Sequence, residues 1–241
     1  MNQIEHIESF GSEDAENDQN LIDYFYISDV ITQINNYKKS LVLGRKGTGK
    51  TAIYKYLLKK NINVANLTFS SYPWRIHDNF ENKLLSEREA YKQSWLFFFY
   101  IELFKLICKN KNAYQYKTKK EINHLEKWII RNYGSITFNY KQTLVPKKKH
   151  FKFVFEPSIF GNSLGSISKE IESSVNIGET LDSFIEKFDK ILSSLINAEN
   201  INYYLLFDEL DIAYNDTDEN YVNRLIGLLL AEYHFFYKYR K

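Results

Sequence analysis

The chain has 241 residues, a formal net charge of +2 at pH 7 and 44% hydrophobic residues. This length can bury one substantial core with an insertion, but it is short for two independent domains. The composition excludes long disordered regions, and the small net charge gives no electrostatic reason to expect a nucleic-acid partner. We therefore expect one domain over residues 1–241.

The cysteine content and the apolar runs bear on the cellular compartment. The one cysteine, Cys108, lies in an apolar stretch, which predicts a packed, inert thiol in a reducing environment. The polar N-terminus lacks the pattern of a signal peptide, and the longest apolar run, 95–101, is too short to span a bilayer. We predict a cytoplasmic protein with no membrane partner.

The first part of the chain is predicted to be a lead-in followed by a strand–helix–strand unit. The lead-in covers residues 1–39 and is polar and acidic at its start. The unit covers 40–70, with apolar strands over 40–43 and 63–69 and a helix over 51–60. An apolar run that ends on glycine, as the first one does, is typical of a buried parallel strand.

The rest of the chain is predicted to be mainly helical, with one insertion of different character. The segment 79–132 contains neither Gly nor Pro and has helical apolar periodicity. The segment 134–178 contains scattered Gly, Ser and Pro residues and short stretches in which apolar and polar residues alternate. This pattern indicates a partly β insertion. The last segment, 179–241, begins as a helix and continues with an apolar strand over 202–207 and a final helix over 221–239.

A phosphate-binding motif joins the first predicted strand to its helix. Residues 44–51, GRKGTGKT, match the pattern GxxxxGK[ST] in full, with a strand before and a helix after as the motif requires. Glycine lets the backbone curl around a phosphate, and the start of the helix directs free amides at the same anion. The predicted nucleotide-binding residues are Gly44, Arg45, Lys46, Gly47, Thr48, Gly49, Lys50 and Thr51.

We expect specific roles for three residues of this motif. Lys50 is expected to contact the β- and γ-phosphates, and Thr51 to coordinate Mg²⁺ through its hydroxyl. Lys46 either contacts phosphate as well or is solvated.

A second motif is an apolar strand that ends in adjacent carboxylates, the Walker B pattern YYLLFDE over 203–209. Asp208 at the strand end is expected to hold Mg²⁺, and Glu209 to orient and deprotonate the attacking water. Lys50 and Glu209 are therefore the predicted catalytic residues. Asp211 either supports the metal shell or caps the next segment, and we favour the cap.

Two further features of the sequence could have either a functional or a structural role. Arg224, on the helix after the second motif, is the arginine best placed to reach a neighbouring subunit, although a surface salt bridge is the favoured interpretation. The basic run over 147–150 precedes alternating aromatic residues over 151–155. Basic residues next to aromatic residues are typical of a nucleic-acid-binding surface, but we favour a solvated loop followed by a half-buried strand.

Several blocks of sequence carry a resemblance to a known family. They are FG at 10–11 with AE at 15–16, LVLGRKGTGKTAI at 41–53, YPW at 72–74 and LFDELD at 206–211. Together they resemble bacterial P-loop ATPases related to the AAA-like, STAND and KAP NTPases, many of which are encoded in antiphage defence loci. The resemblance implies an α/β fold with a three-layer αβα core and a mainly parallel sheet. It also implies ATP with Mg²⁺ rather than GTP, and a switch or motor role in which hydrolysis drives assembly or controls an effector.

One departure from that family concerns the number of strands. The family has a five-stranded core with a sensor residue on its fourth strand, and no segment after Asp208 supplies that strand before Lys241. We therefore expect an incomplete core, which means either a truncated or split ATPase or a homo-oligomer or partner protein that completes the ATPase site. The alternative to an ATPase is a nucleotide-binding regulatory or scaffold subunit with little turnover on its own, and a third hypothesis is a nucleic-acid motor.

Overall fold

The structure is a computed structural model that describes residues 15, 17–36, 38–70, 72–80, 85–144, 177–198, 201–211, 218 and 220–239. It divides into two compact units, Met1–Ile62 and Asn63–Arg240. The helices and strands in chain order are α1 (Asp29–Asn35), α2 (Lys50–Lys60), β1 (Val64–Thr68), α3 (Glu87–Lys109), α4 (Tyr116–Tyr133), α5 (Ile177–Ala198), β2 (Tyr204–Asp208) and α6 (Tyr221–Tyr239).

The first unit is built around α2. Tyr56 and Leu57 are its buried side chains, and the Tyr56 ring stacks on Phe25 with centroids 4.5 Å apart. The Lys55 ammonium donates a hydrogen bond of 2.7 Å to the carbonyl of Ala15, which fixes the lead-in against the helix. The predicted helix over 51–60 is thereby confirmed.

The structure differs from the strand prediction over residues 40–43, which lie outside any strand. Leu41 is 44% exposed and Leu43 is 84% exposed. The described residues of Met1–Ile62 form helices and turns and contain no strand. A strand persists only where a neighbouring strand supplies the ladder bonds, so an apolar run by itself does not define one.

The second unit contains a two-stranded parallel sheet of β1 and β2. Val64 pairs with Tyr204 at one end of the register and Thr68 with Asp208 at the other. Both strands were predicted, with boundaries that differ by one or two residues. Because the described residues contain these two strands alone, they do not show the three-layer core with a larger sheet, and that fold class stays a prediction.

Helix α3 is the centre of the second unit. Every residue from 93 to 108 is buried, because α4, α5, α6, the sheet and a 3₁₀ segment over Trp74–Phe80 all pack against it. A helix that is apolar on all sides belongs inside a core. The Ser86 side chain accepts a bond from the Glu89 amide and caps the helix. In the stretch predicted to be helical from residue 79, the 3₁₀ segment ends at Phe80 and the capped α-helix begins at Glu87.

Two opposite charges lie within this buried helix. The Lys105 ammonium donates to both carboxylate oxygens of Glu102 at 3.0 and 2.9 Å, and to the Phe138 carbonyl at 3.0 Å. The Thr143 hydroxyl donates to the same carboxylate. Each charge is thus paired and hydrogen-bonded, as burial in an apolar environment requires.

The segment after α4 differs in part from the predicted β insertion. Helix α4 ends at Gly134, whose φ of 85° forms the left-handed C-terminal cap. In the predicted β insertion, residues 134–144 form turns and a 3₁₀ segment over Tyr140–Gln142, and the last two residues, 177 and 178, already belong to α5. Residues 145–176, which include the basic run over 147–150, lie outside the described residues. No helix in the described ranges has the length and apolar character needed to cross a membrane.

Cys108 is a buried thiol, 2% exposed. Burial is the main cause that raises its pKa to about 12, and the carboxylate of Glu126 adds to it. A thiol with so high a pKa carries almost no thiolate at neutral pH, so it is chemically inert. The predicted packed thiol is confirmed.

His77 is a completely buried imidazole next to α3, and its ring stacks on Trp95 at 4.0 Å. The Ser94 hydroxyl donates to the Tyr91 carbonyl, so it accepts from Nδ1 of His77 at 2.7 Å, and Nε2 then accepts from the Tyr72 hydroxyl at 3.0 Å. Burial, and secondarily the positive charge of Arg224, hold the pKa of His77 well below its ordinary value.

This environment predicts acid sensitivity of the fold. Because the pKa of His77 is lowered in the folded state, the unfolded chain binds the proton first as the pH falls below the ordinary histidine pKa. The free energy of unfolding should fall by about 2 kcal/mol between pH 7 and pH 5 from this residue alone. Urea unfolding at pH 7 and at pH 5 gives the loss of unfolding free energy for the wild type and for His77→Gln. The Gln side chain keeps polar atoms but does not titrate, so the variant should lose less. Equal losses in the two proteins would contradict the prediction.

Candidate functional site

The glycine-rich loop between residues 44 and 49 leads directly into α2, but the strand that its motif requires before it is absent from residues 40–43. Gly47 and Gly49 have φ values of 84° and 83°, in the left-handed region that other residues rarely adopt. A Cβ on Gly44 would lie 2.4 Å from the Thr48 hydroxyl oxygen. That hydroxyl is itself engaged, since it donates to the Arg45 carbonyl at 2.8 Å. The loop is therefore closed tightly on itself and requires glycine at these three places.

Lys50 directs its positive charge back toward the start of the loop. Its ammonium donates to the carbonyls of Gly44 at 2.8 Å and Arg45 at 2.9 Å, although Lys50 is itself the first residue of α2. The side chain therefore spans the curl of the loop. This placement presents a cation to any anion held by the loop backbone.

The start of α2 has no side-chain cap, because Gly49 occupies the N-cap position. The first intrahelical bond runs from the amide of Ile53 to the carbonyl of Gly49, which leaves the amides of the first turn without helical partners. Amides of this kind, together with the helix dipole, attract an anion. Thr51 lies in the same turn and carries the hydroxyl that would serve a metal ion on the phosphate. The residues of this loop thus fit a nucleotide phosphate group.

The acidic pair lies at the carboxyl end of β2. Asp208 is the last residue of the strand and pairs with Thr68, and its carbonyl accepts a bond of 3.0 Å from the amide of Phe69. Glu209 follows directly with a φ of 61°, and its amide donates to Oδ1 of Asp208 at 2.9 Å. The carboxyl ends of parallel strands are the edge where α/β sheets bind ligands.

The two motifs belong to different compact units. Residues 44–51 lie in Met1–Ile62, and Asp208 and Glu209 lie in Asn63–Arg240. Asp211 lies in an exposed turn just after the acidic pair. Arg45 and Lys46 are exposed on the loop.

Arg224 does not form the predicted surface salt bridge, because it is 1% exposed. Its Nε and Nη2 each donate 2.7 Å bonds to the two oxygens of Asp78, and its Nη1 donates to Asp218 at 2.6 Å. Burial by itself lowers the pKa of the guanidinium, but the hydrogen bonds to the two carboxylates outweigh it and raise the pKa above its ordinary value. The buried charge is thus fully compensated, and the arginine does not reach outward toward a neighbouring subunit.

Sequence reasoning missed this cluster for an identifiable reason. Asp78 and Asp218 are far from each other in sequence, so no local pattern joins them to Arg224. The available signal was the position of Asp218 just before α6, where its carboxylate accepts from the Asn220 amide at 3.3 Å as in an Asx turn. That signal predicts the start of α6 and not the ion pair.

Comparison of the chain with protein-family models, with curated proteins and with solved structures finds no match.

The Arg224 cluster gives a prediction about stability. Replacement of Arg224 by Lys keeps one charge but removes the fork that binds both oxygens of Asp78, so the free energy of unfolding should fall by about 2–3 kcal/mol. The matched control is Arg88→Lys, since Arg88 is exposed and makes only a long 3.5 Å bond to Asn223. That control should change stability by about 0.5 kcal/mol or less. Equal effects in denaturant unfolding would contradict the buried bidentate pair.

Proposed function

We propose that this chain is a Mg²⁺-dependent ATP-binding and ATP-hydrolysing P-loop protein that acts as a switch or motor. The observation that carries the proposal is the loop over residues 44–51. Its full motif coincides with two left-handed glycines, an uncapped helix start and a lysine ammonium folded over the loop. Each of these features favours an anionic phosphate.

Each predicted site residue has a distinct role in this proposal. The loop amides and Lys50 would bind the β- and γ-phosphates. Thr51 and Asp208 would hold Mg²⁺, which would supply positive charge to the phosphate oxygens. Glu209 accepts the proton of the water whose oxygen bonds to the γ-phosphorus, while the bond from phosphorus to the bridging oxygen breaks. The products are then ADP and inorganic phosphate.

The resemblance to AAA-like, STAND and KAP NTPases supports a narrower version of the same proposal. In that version the protein is cytoplasmic, takes part in bacterial antiphage defence, and works as a homo-oligomer or with a partner protein that completes the site. The alternative is a regulatory or scaffold subunit that binds ATP with little turnover. It is favoured by the exposure of Leu41 and Leu43 just before the loop, since such side chains suit a surface that another chain covers.

Binding is tested first, by titration of the purified chain with ATP and Mg²⁺. Lys50→Ala should weaken affinity by about ten- to a hundredfold, because it removes charge-assisted hydrogen bonds to phosphate. The control is Lys59→Ala, at an exposed position near the end of the same helix, and it should leave affinity unchanged. Absence of ATP binding by the wild type would overturn both the ATPase and the regulatory alternative.

Turnover is tested separately, by steady-state phosphate release. Glu209→Gln keeps the size of the side chain but removes the base, so it should lower kcat by about a hundredfold or more while ATP binding persists. Tight ATP binding without phosphate release by the wild type would contradict the ATPase and support the regulatory subunit. Stimulation of release by added DNA would favour a nucleic-acid motor.

A further inference from the structure

The turn that carries Glu209 has an unusual backbone. Glu209 is the one non-glycine residue with positive φ among the described residues, at 61°. For an L-residue this conformation is unfavourable, so neighbouring interactions must hold it. The direction of the Glu209 side chain depends on that φ angle, because a return to negative φ would swing Cβ to another side of the chain.

Two hydrogen bonds bracket Glu209. On its N-terminal side, its own amide donates to Oδ1 of Asp208 at 2.9 Å. On its C-terminal side, the carbonyl of Leu210 accepts a 3.0 Å bond from the hydroxyl of Tyr221. The first bond is local and moves with the turn, whereas the second ties the turn to helix α6.

Tyr221 is well placed to impose a fixed position on that turn. Its side chain is 6% exposed, and its ring packs on Trp74 with centroids 5.8 Å apart. Its amide donates to the carbonyl of Asp218 at 3.0 Å, so it lies in the first turn of α6. The hydroxyl therefore extends from a rigid, buried base and not from a mobile surface chain.

The first turn of α6 is in turn anchored to the core by Arg224. The guanidinium joins Asp218, at the start of the helix, to Asp78 in the 3₁₀ segment. The carbonyl of Arg224 accepts a 3.0 Å bond from the indole N–H of Trp95 on α3. These bonds hold the beginning of α6, where Tyr221 lies, against the core.

We propose that Tyr221 is a positioning residue that holds the turn after β2 so that the Glu209 carboxylate keeps one direction, with Arg224 as the anchor of its helix. The catalytic part of this inference rests on the ATPase function proposed above. Tyr221 has no proposed contact with nucleotide or metal and acts through the Leu210 carbonyl. Arg224 likewise acts indirectly, because it anchors the helix that carries Tyr221.

The test is Tyr221→Phe, which removes one hydroxyl and keeps the ring against Trp74. The matched control is Tyr133→Phe, because the buried hydroxyl of Tyr133 also donates to a backbone carbonyl, that of Thr143, at 2.8 Å. The two variants should lose similar stability. Both full-length proteins are compared with the wild type by amide hydrogen exchange over residues 209–211 and by steady-state kinetics of phosphate release.

Tyr221→Phe should speed exchange at 209–211 about fivefold and lower kcat about fivefold, the effect of one lost hydrogen bond, with KM for ATP unchanged. Tyr133→Phe should change neither quantity. Unchanged exchange in Tyr221→Phe would overturn the inference whatever the kinetics show, and faster exchange with an unchanged kcat would overturn its catalytic part. Absence of phosphate release by the wild type would instead overturn the ATPase function and the catalytic part with it, while exchange still decides whether Tyr221 holds the turn.

Discussion

The burial of α3 on all sides is the constraint on which the second unit depends. A helix that is buried around its whole circumference must be surrounded by other elements, and α4, α5, α6 and the sheet pack around α3. The sheet packs on it through aromatic rings: Phe69 stacks on Phe207 at 5.2 Å, and Phe207 contacts Phe99 at 5.4 Å. The strand that ends in Asp208 is therefore held by the core, although Asp208 itself lies at the edge of the sheet.

A series of hydrogen bonds also connects this core to the turn after β2. Trp95 of α3 bonds the carbonyl of Arg224, Arg224 fixes Asp218 at the start of α6, and Tyr221 then bonds the carbonyl after Glu209. Packing and polar contacts thus converge on a few residues at the end of β2. The glycine-rich loop is different, because its shape arises within residues 44–51 from glycine conformations and short-range bonds. One motif is locally determined and the other is supported by the fold.

The difference explains which predictions agreed with the structure. Helix α6 was predicted at its observed boundaries, and α2, α5 and both strands within about two residues, since each has strong apolar periodicity or a clear apolar run. The strand expected over 40–43 is absent from that segment, because an apolar run predicts a strand only where a neighbouring strand pairs with it. Arg224 was expected on the surface because helical periodicity does not reveal which polar residue meets a distant carboxylate.

The sequence alone specifies the glycine-rich loop and the acidic pair, because both motifs are contiguous and depend on residue type and short spacing. It also determined the main helices, whose periodicity is local. The tertiary structure alone decided the parallel pairing of Thr68 with Asp208, the burial of Arg224 between two aspartates and the bond from Tyr221 to the turn at Glu209. These features join residues that are distant in sequence, and such contacts form only when the whole core closes.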